Sequence, residues 1–191
     1  MTGVDPLVAA LFLLAAFTLA GAAQTVWFAA PMSHAFAIPL DGGRCFRGRR
    51  IFGAHKTVRG FVVMVPAAAL AFALLATLAA DAVLRALWPL SPLTYALLGA
   101  WAGFGFMAGE LPNSFIKRQL DVAPGAAADG WRRVPHFLLD RFDSGLGMLT
   151  ALSLAVHVPW LSWLYVLLFG LFIHWSFSVV MFRLGLKGRA A

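Results

Sequence analysis

Several side chains that are suited to chemistry lie close together in residues 109–118. It contains a carboxylate, two neutral hydrogen-bonding groups and a cation, spaced so that all four would share one face of a helix. These residues are Glu110, Asn113, Ser114 and Lys117. We expect Pro112 to lie in the first turn of a new helix, where its missing N–H costs little. The carboxylate could bind a metal ion and Lys117, with its neighbour Arg118, could bind phosphate; a helix anchored at a membrane interface would have the same composition.

A second stretch, residues 140–145, contains two acids three positions apart, Asp140 and Asp143. On a helix this spacing places both carboxylates on one face, about one turn apart. Carboxylate oxygens in such a pair can bind a divalent cation, and Gly145 and Gly147 leave room for a ligand or another backbone. A solvated helix end is the alternative, although acids at the rim of a hydrophobic segment are costly to keep. The pair is therefore a candidate metal site.

A third stretch, residues 53–60, places Lys56 and Arg59 three positions apart between glycines. Glycines let the backbone approach a phosphate, Lys supplies a point charge, and the Arg fork can grip two oxygens. The order of residues is not that of a nucleoside triphosphatase phosphate loop. The preceding arginines, from Arg44 to Arg50, could equally hold this segment on anionic lipid.

Other catalytic sets are absent from the sequence. The five histidines are dispersed without a metal-binding spacing, so hydrogen-bonding or interfacial roles suit them better. A G-x-S-x-G elbow and a Cys-His arrangement are also missing. The single cysteine, Cys45, excludes an internal disulfide. Covalent hydrolase chemistry therefore has no support.

The chain that must position these groups is 61% hydrophobic and only 12% charged over 191 residues, whereas soluble domains are about 25% charged. This composition predicts an all-α, polytopic integral membrane protein of one domain and disfavours nucleic-acid binding. Five apolar segments are candidate transmembrane helices: 7–30, 61–80, 92–108, 144–158 and 160–182. For the first, a signal peptide cleaved near Ala20-Gly21-Ala22 is the competing interpretation; it lacks a basic region before it, and its apolar run continues further. Glycines along the third span should let neighbouring helices approach closely.

Two polar segments, residues 31–60 and 109–143, separate these spans. Together with the C-terminal tail they hold fourteen of the fifteen Lys and Arg residues. Because basic residues concentrate on the cytoplasmic side, we expect both segments and the C-terminus in the cytoplasm and the N-terminus outside, in the cell's inner membrane. Both polar segments would then be accessible to nucleotides on the cytoplasmic side of the membrane.

Acids able to bind Mg²⁺ and cations able to neutralise a polyphosphate, on the nucleotide side of a membrane, indicate phosphoryl or nucleotidyl transfer. Such chemistry depends mainly on positioning and on charge stabilisation. A lipid phosphate used as nucleophile is already ionised, so no general base is required. The lack of a catalytic histidine is then no obstacle.

The order of these motifs resembles that of the CDP-archaeol synthases, membrane cytidylyltransferases related to the CDP-diacylglycerol synthases. The resemblance covers about residues 39–147 and has four parts: Gly53-x-x-Lys56-Thr57-x-Arg59-Gly60, then Ser114-Phe115-Ile116-Lys117-Arg118, then Pro124-Gly125, then Asp140-x-x-Asp143. Two positions depart from the pattern. Glu110 stands where relatives often have Asp, and Val58 stands where archaeal relatives often have Trp.

The resemblance implies Mg²⁺-dependent transfer of CMP from CTP to a lipid phosphate of the unsaturated archaetidic acid type, with release of pyrophosphate. It implies three catalytic residues, Lys117, Asp140 and Asp143. It implies a substrate-binding set, namely Lys56, Thr57, Arg59, Asn113, Ser114, Lys117 and Arg118. The implied metal ligands are Asp140, Asp143 and Glu110. Asp140-Arg141-Phe142-Asp143 is closer to the diacylglycerol branch, so a phosphatidate cytidylyltransferase is the alternative enzyme. A small transporter or a non-catalytic membrane protein that binds anionic lipid is the alternative of another class.

Overall fold

The computed structural model describes the backbone of residues 3–122 and 133–185, and the side chains of residues 3–122 and 142–185. Nearly all of its regular structure is helical. The helices are α1 (Pro6–Ala29), α2 (Val58–Leu78), α3 (Asp81–Arg85), α4 (Pro92–Gln119), α5 (Arg133–Ala155) and α6 (Trp160–Arg183). A 3₁₀ turn at Pro31–Phe36 follows α1, and two short antiparallel strands, β1 (Cys45–Phe46) and β2 (Arg49–Arg50), form a hairpin. The predicted all-α class is confirmed.

Polar caps and prolines fix where two of the long helices begin. The Asp5 carboxylate accepts hydrogen bonds from the backbone N–H groups of Leu7 and Val8, both at 2.9 Å, and Pro6 occupies the first turn of α1. The Ser91 hydroxyl accepts from Thr94 N at 3.2 Å at the start of α4. These starts lie within one residue of the predicted starts of the first and third spans.

Three helices in the described part of the chain, α1, α2 and α6, are long and apolar enough to cross a membrane. The apolar part of α5, Phe142–Ala155, is shorter. Each of the five predicted spans overlaps one long helix. That all five cross the membrane stays a prediction.

The expectation that Pro112 starts a new helix is wrong, because α4 runs without a break from Pro92 to Gln119 with Pro112 inside it. Proline removes one backbone donor, and neighbouring helices can compensate for that loss. Here α5 packs directly on the preceding turn, since a Cβ at Gly109 would lie 2.8 Å from Gly147 Cα. Helix α5 also begins early, at Arg133. Much of the predicted polar segment 109–143 is therefore helical and belongs to α4 and α5.

Helix α4 lies between α2 and α5 and approaches both closely through glycines. A Cβ at Gly99 would lie 2.5 Å from the Ala68 carbonyl oxygen on α2, and one at Gly103 would lie 2.8 Å from the Met64 carbonyl oxygen. On the other face, a Cβ at Gly105 would lie 2.7 Å from the carbonyl oxygen of Gly147 on α5. The prediction that these glycines permit close helix contact is confirmed.

The hairpin of the first polar segment packs on the end of α4. Its turn places Arg47 and Gly48 at φ values of 51° and 78°, the left-handed region that a tight two-residue hairpin turn requires. The ring of Phe46 lies 5.8 Å from that of Phe115, and Arg49 forms an ion pair with Asp121 just beyond the helix. The two polar segments are thus in contact.

Candidate active site

A cavity of about 540 Å³ opens between α1, α2, α4, α5 and α6. Apolar side chains such as Leu13, Phe17 and Val166 line its deeper part, in the middle of their helices. Polar groups line it where α1 ends and α2 begins: Thr57, Lys56, Arg59, Glu110 and Ser144. The cavity therefore joins an apolar chamber to a cluster of charges.

The centre of the polar end is an ion pair between Lys56 and Glu110. Lys56 comes from the loop before α2, and Glu110 comes from α4. The Ser144 hydroxyl of α5 donates a hydrogen bond to Glu110 Oε1 at 2.7 Å. The two side chains of the pair are 28% and 20% exposed, so the cavity still gives access to them. Three separate segments thus converge on one carboxylate.

A second carboxylate, that of Asp143, lies beside the first. Its Oδ2 accepts a hydrogen bond from Asn113 Nδ2 at 2.9 Å, and its Oδ1 accepts one from the backbone N–H of Ser144 at 2.7 Å. The same Oδ1 lies 3.3 Å from the Ser144 hydroxyl that donates to Glu110. One hydroxyl therefore lies within hydrogen-bond distance of both carboxylates.

The chemistry of this pair suits magnesium, which binds oxygen and commonly uses one or two carboxylates together with water and substrate phosphates. Each carboxylate retains lone pairs beyond the bonds that it accepts from the protein. Among the described residues, no group of three or more His, Cys, Asp and Glu side chains forms a metal cluster. The side chain of Asp140 lies outside the described residues, so the predicted three-acid set stays a prediction.

Arg59 lines the cavity and also holds the end of α1. A terminal nitrogen of its guanidinium donates to the Phe28 carbonyl oxygen, and the guanidinium carbon lies 4.5 Å from the centroid of the Phe28 ring. Its Nε is buried and has no hydrogen-bond partner in the described part of the chain. Arg59 is therefore fixed by α1, and the described residues do not use its Nε–H donor.

The remaining predicted substrate-binding residues do not all lie at the cavity. Ser114 donates its hydroxyl to the Glu110 carbonyl oxygen at 2.8 Å, within α4, and is buried. Lys117 and Arg118 lie in the last turns of α4, outside the lining of the cavity. Asn113 does not line the cavity; it contacts the site by donating a hydrogen bond to Asp143. The Pro124-Gly125 motif lies outside the described residues.

Asp41, the one acidic residue of the sequence segment 31–60, is buried in the loop before Lys56. The Arg50 guanidinium, and then the backbone N–H groups of Phe52, Gly43 and Gly53, hold the pKa of this carboxyl well below its usual range. The same pairing raises the pKa of Arg50. Of the arginines expected to bind anionic lipid, Arg50 is thus engaged inside the protein.

Ser144 is the other functional residue that the sequence did not single out, since it served only to mark the start of the fourth span. Its position directly after Asp143 is the signal that could have found it. Two histidines without an assigned site, His55 and His174, also line the cavity.

The chain is similar in sequence to proteins of one family. The family model for CarS-like CDP-archaeol synthase matches residues 8–190. The CDP-archaeol synthase of Thermococcus gammatolerans is 34% identical over 153 residues, which cover 78% of this chain and 80% of that protein. The CDP-archaeol synthase of Halobacterium salinarum is 45% identical over 92 residues, which cover 47% of this chain and 49% of that protein.

A solved structure described as an intramembrane enzyme for archaeal membrane lipid biosynthesis has the same fold. Its TM-score is 0.64 at 23% identity, and the match covers 92% of this chain and 96% of that one. With three helices able to span a bilayer, the chain is an integral membrane protein. The extent of the family match and the identity to curated relatives together show that the chain belongs to the CDP-archaeol synthase family.

Proposed function

We propose that this protein transfers the CMP group of CTP to the phosphate of an isoprenoid ether lipid of the unsaturated archaetidic acid type. The products are CDP-archaeol and pyrophosphate, and the reaction depends on Mg²⁺. The names of the relatives support the product and the class of reaction. The type of lipid is what the family resemblance implies, and the two carboxylates of the site support the metal.

The observation that carries the proposal is the cavity itself. Its apolar walls, built from the middle of α1 and α6, suit a hydrocarbon chain, whereas Lys56 and Arg59 at its other end suit phosphate. A soluble nucleotide alone would not need the apolar chamber. A lipid without a charged headgroup would not need the cations.

In the proposed reaction an oxygen of the lipid phosphate attacks the α-phosphorus of CTP. The bond between that phosphorus and the oxygen that bridges to the β-phosphorus breaks, and pyrophosphate leaves with the electron pair. The attacking oxygen is already ionised, so no residue has to remove a proton. Lys56 and Arg59 stabilise the negative charge that gathers on the phosphates, while Glu110 and Ser144 hold the Lys56 ammonium in place.

Magnesium, when bound, would neutralise charge on the triphosphate and on the departing pyrophosphate. We propose that Mg²⁺ is held by Glu110 of α4 and by Asp140 and Asp143 of α5. Asn113 fixes Asp143 by its hydrogen bond and so sets the direction of the carboxylate. Lys117 and Arg118, at the end of α4, are proposed to contact the CTP phosphates from the aqueous side.

The distribution of basic residues supports a cytoplasmic active site in the inner membrane, with the N-terminus outside. Fourteen of the fifteen Lys and Arg residues fall in the segments 31–60 and 109–143 and in the C-terminal tail, and such residues concentrate on the cytoplasmic side of membrane proteins. Modification of single introduced cysteines in a cysteine-free Cys45→Ser background by an impermeant reagent would test this topology in intact cells.

The substrate is tested by incubating purified protein with cytidine-labelled CTP, Mg²⁺ and either unsaturated archaetidic acid or phosphatidic acid. We expect CDP-lipid from the ether lipid at the higher kcat/KM, and none when EDTA removes the metal. Faster reaction with phosphatidic acid would assign the diacyl branch instead. No CDP-lipid from either lipid would refute the proposed function.

A further inference from the structure

The loop that carries Lys56 has almost no core of its own. Of residues 34–59, only Asp41 and Gly53 are buried. The side chain of Asp41 is fully enclosed. Because no hydrophobic side chain of the loop is fully buried, we expect polar interactions to contribute most to its shape.

The Asp41 carboxylate accepts five hydrogen bonds from the loop. The backbone N–H groups of Gly43, Phe52 and Gly53 each donate at 3.0 Å, Arg50 Nε donates at 3.1 Å, and a terminal nitrogen of the same guanidinium makes the fifth bond. A carboxylate offers about four lone-pair sites. Its acceptor capacity is therefore used by the protein, which leaves none for a substrate or a metal ion.

These bonds extend to the backbone of Lys56 from both sides. Lys56 N donates to the Gly53 carbonyl oxygen at 3.4 Å, and Gly53 is held by Asp41. The Lys56 carbonyl oxygen accepts from Leu40 N at 2.8 Å, and Leu40 directly precedes Asp41. The side chain of Lys56 leaves this fixed backbone to reach Glu110 on α4.

We propose that Asp41 is a positioning residue for the reaction, which holds the loop so that the Lys56 ammonium meets Glu110 and the substrate phosphate in the cavity. Asp41 contacts no substrate itself. Its effect on turnover rests on the proposed function. Its effect on the position of Lys56 is independent of any reaction and can be measured by itself.

The test compares Asp41→Asn with Asp81→Asn, which removes an exposed acid on α3. The chain has only three lysines, Lys56, Lys117 and Lys187, so an amine-reactive reagent followed by peptide mass spectrometry reports each separately. In Asp41→Asn we expect the labelling rate of Lys56, relative to Lys117, to rise about fivefold, which corresponds to about 1 kcal/mol of lost protection. We expect kcat with CTP and lipid to fall about tenfold. Asp81→Asn should change neither.

Unchanged relative labelling of Lys56 in a folded Asp41→Asn protein would overturn the proposal, and so would increased labelling with unchanged turnover. If Asp41→Asn does not fold, Arg50→Gln takes its place, because it removes the guanidinium donors and leaves the three backbone donors. The same two results would then count against the proposal. If wild-type protein forms no CDP-lipid, the proposed function fails, while the labelling comparison still decides whether Asp41 places Lys56.

Discussion

Replacing Lys56 and Glu110 singly and together measures how strongly the loop before α2 is coupled to α4. Lys56→Met removes the cation and keeps most of the apolar stem, and Glu110→Gln keeps an oxygen that accepts from Ser144. The two side chains are 28% and 20% exposed. Exposed ion pairs contribute about 0.2–1 kcal/mol, and breaking a buried pair costs about 3–5 kcal/mol. We therefore expect a coupling energy of about 1–3 kcal/mol for this partly buried pair.

The assay is the free energy of unfolding in detergent for wild type, both single variants and the double variant, from which the coupling energy follows directly. A matched control is the pair of Arg49 and Asp121, whose side chains are 44% and 67% exposed. The corresponding cycle with Arg49→Met and Asp121→Asn should give a coupling below about 1 kcal/mol, because solvent screens exposed charges.

Additive effects at Lys56 and Glu110, within about 0.5 kcal/mol, would refute the reasoning, because independent sites add and coupled ones do not. Equal coupling energies in the two cycles would show that burial in the cavity does not strengthen the pair. Additive effects would also show that the Lys56–Glu110 contact contributes no coupling energy between the first polar segment and α4.

Three further predictions follow from the same geometry. Gly109→Ala should destabilise the protein by about 1–3 kcal/mol in thermal unfolding, because the new Cβ would lie 2.8 Å from Gly147 Cα; Gly3→Ala, with no atom within 4 Å, should not. Asp143→Asn should leave the thermal unfolding midpoint within a few degrees but lower kcat about a hundredfold, as expected for loss of a proposed Mg²⁺ ligand, and wild-type turnover would exclude the residue from the site. The folded-state pKa of Asp41 is held below its unfolded value of about 3.9, so its stabilisation is present above that pH and is lost as the pH falls through the folded-state pKa. The stability difference between wild type and Asp41→Asn should therefore be constant from about pH 5 upward and shrink in acid; a constant difference down to about pH 2 would contradict this.

Hydrophobicity alone located the helices, because each apolar segment must satisfy its own backbone hydrogen bonds within a bilayer. It could not show where those helices end. Pro112 is a helix breaker by local propensity, and only the packing of α5 against Gly109 explains why α4 continues through it. The glycine spacing predicted close contacts but not the division of α4 into a face for α2 and a face for α5.

Residue type and charge were sufficient to predict which side chains could bind phosphate or metal. Lys56, Arg59 and Glu110 were expected to bind phosphate or metal, and the structure brings them to one cavity. The roles of individual arginines were not predictable, since Arg50 pairs with Asp41 whereas Arg59 is held by the end of α1. Those partners are distant in the chain or depend on a loop whose shape no periodic pattern encodes.

Cytidylyl transfer to a lipid phosphate is tested most directly by the fate of a phosphorus label. Wild-type protein would be incubated with Mg²⁺ and unsaturated archaetidic acid, and with CTP labelled at the α-phosphorus in one reaction and at the γ-phosphorus in another. We expect label in the lipid product only from the α position, and label in pyrophosphate only from the γ position. Lipid labelled from the γ position, or no labelled lipid from either, would contradict this expectation.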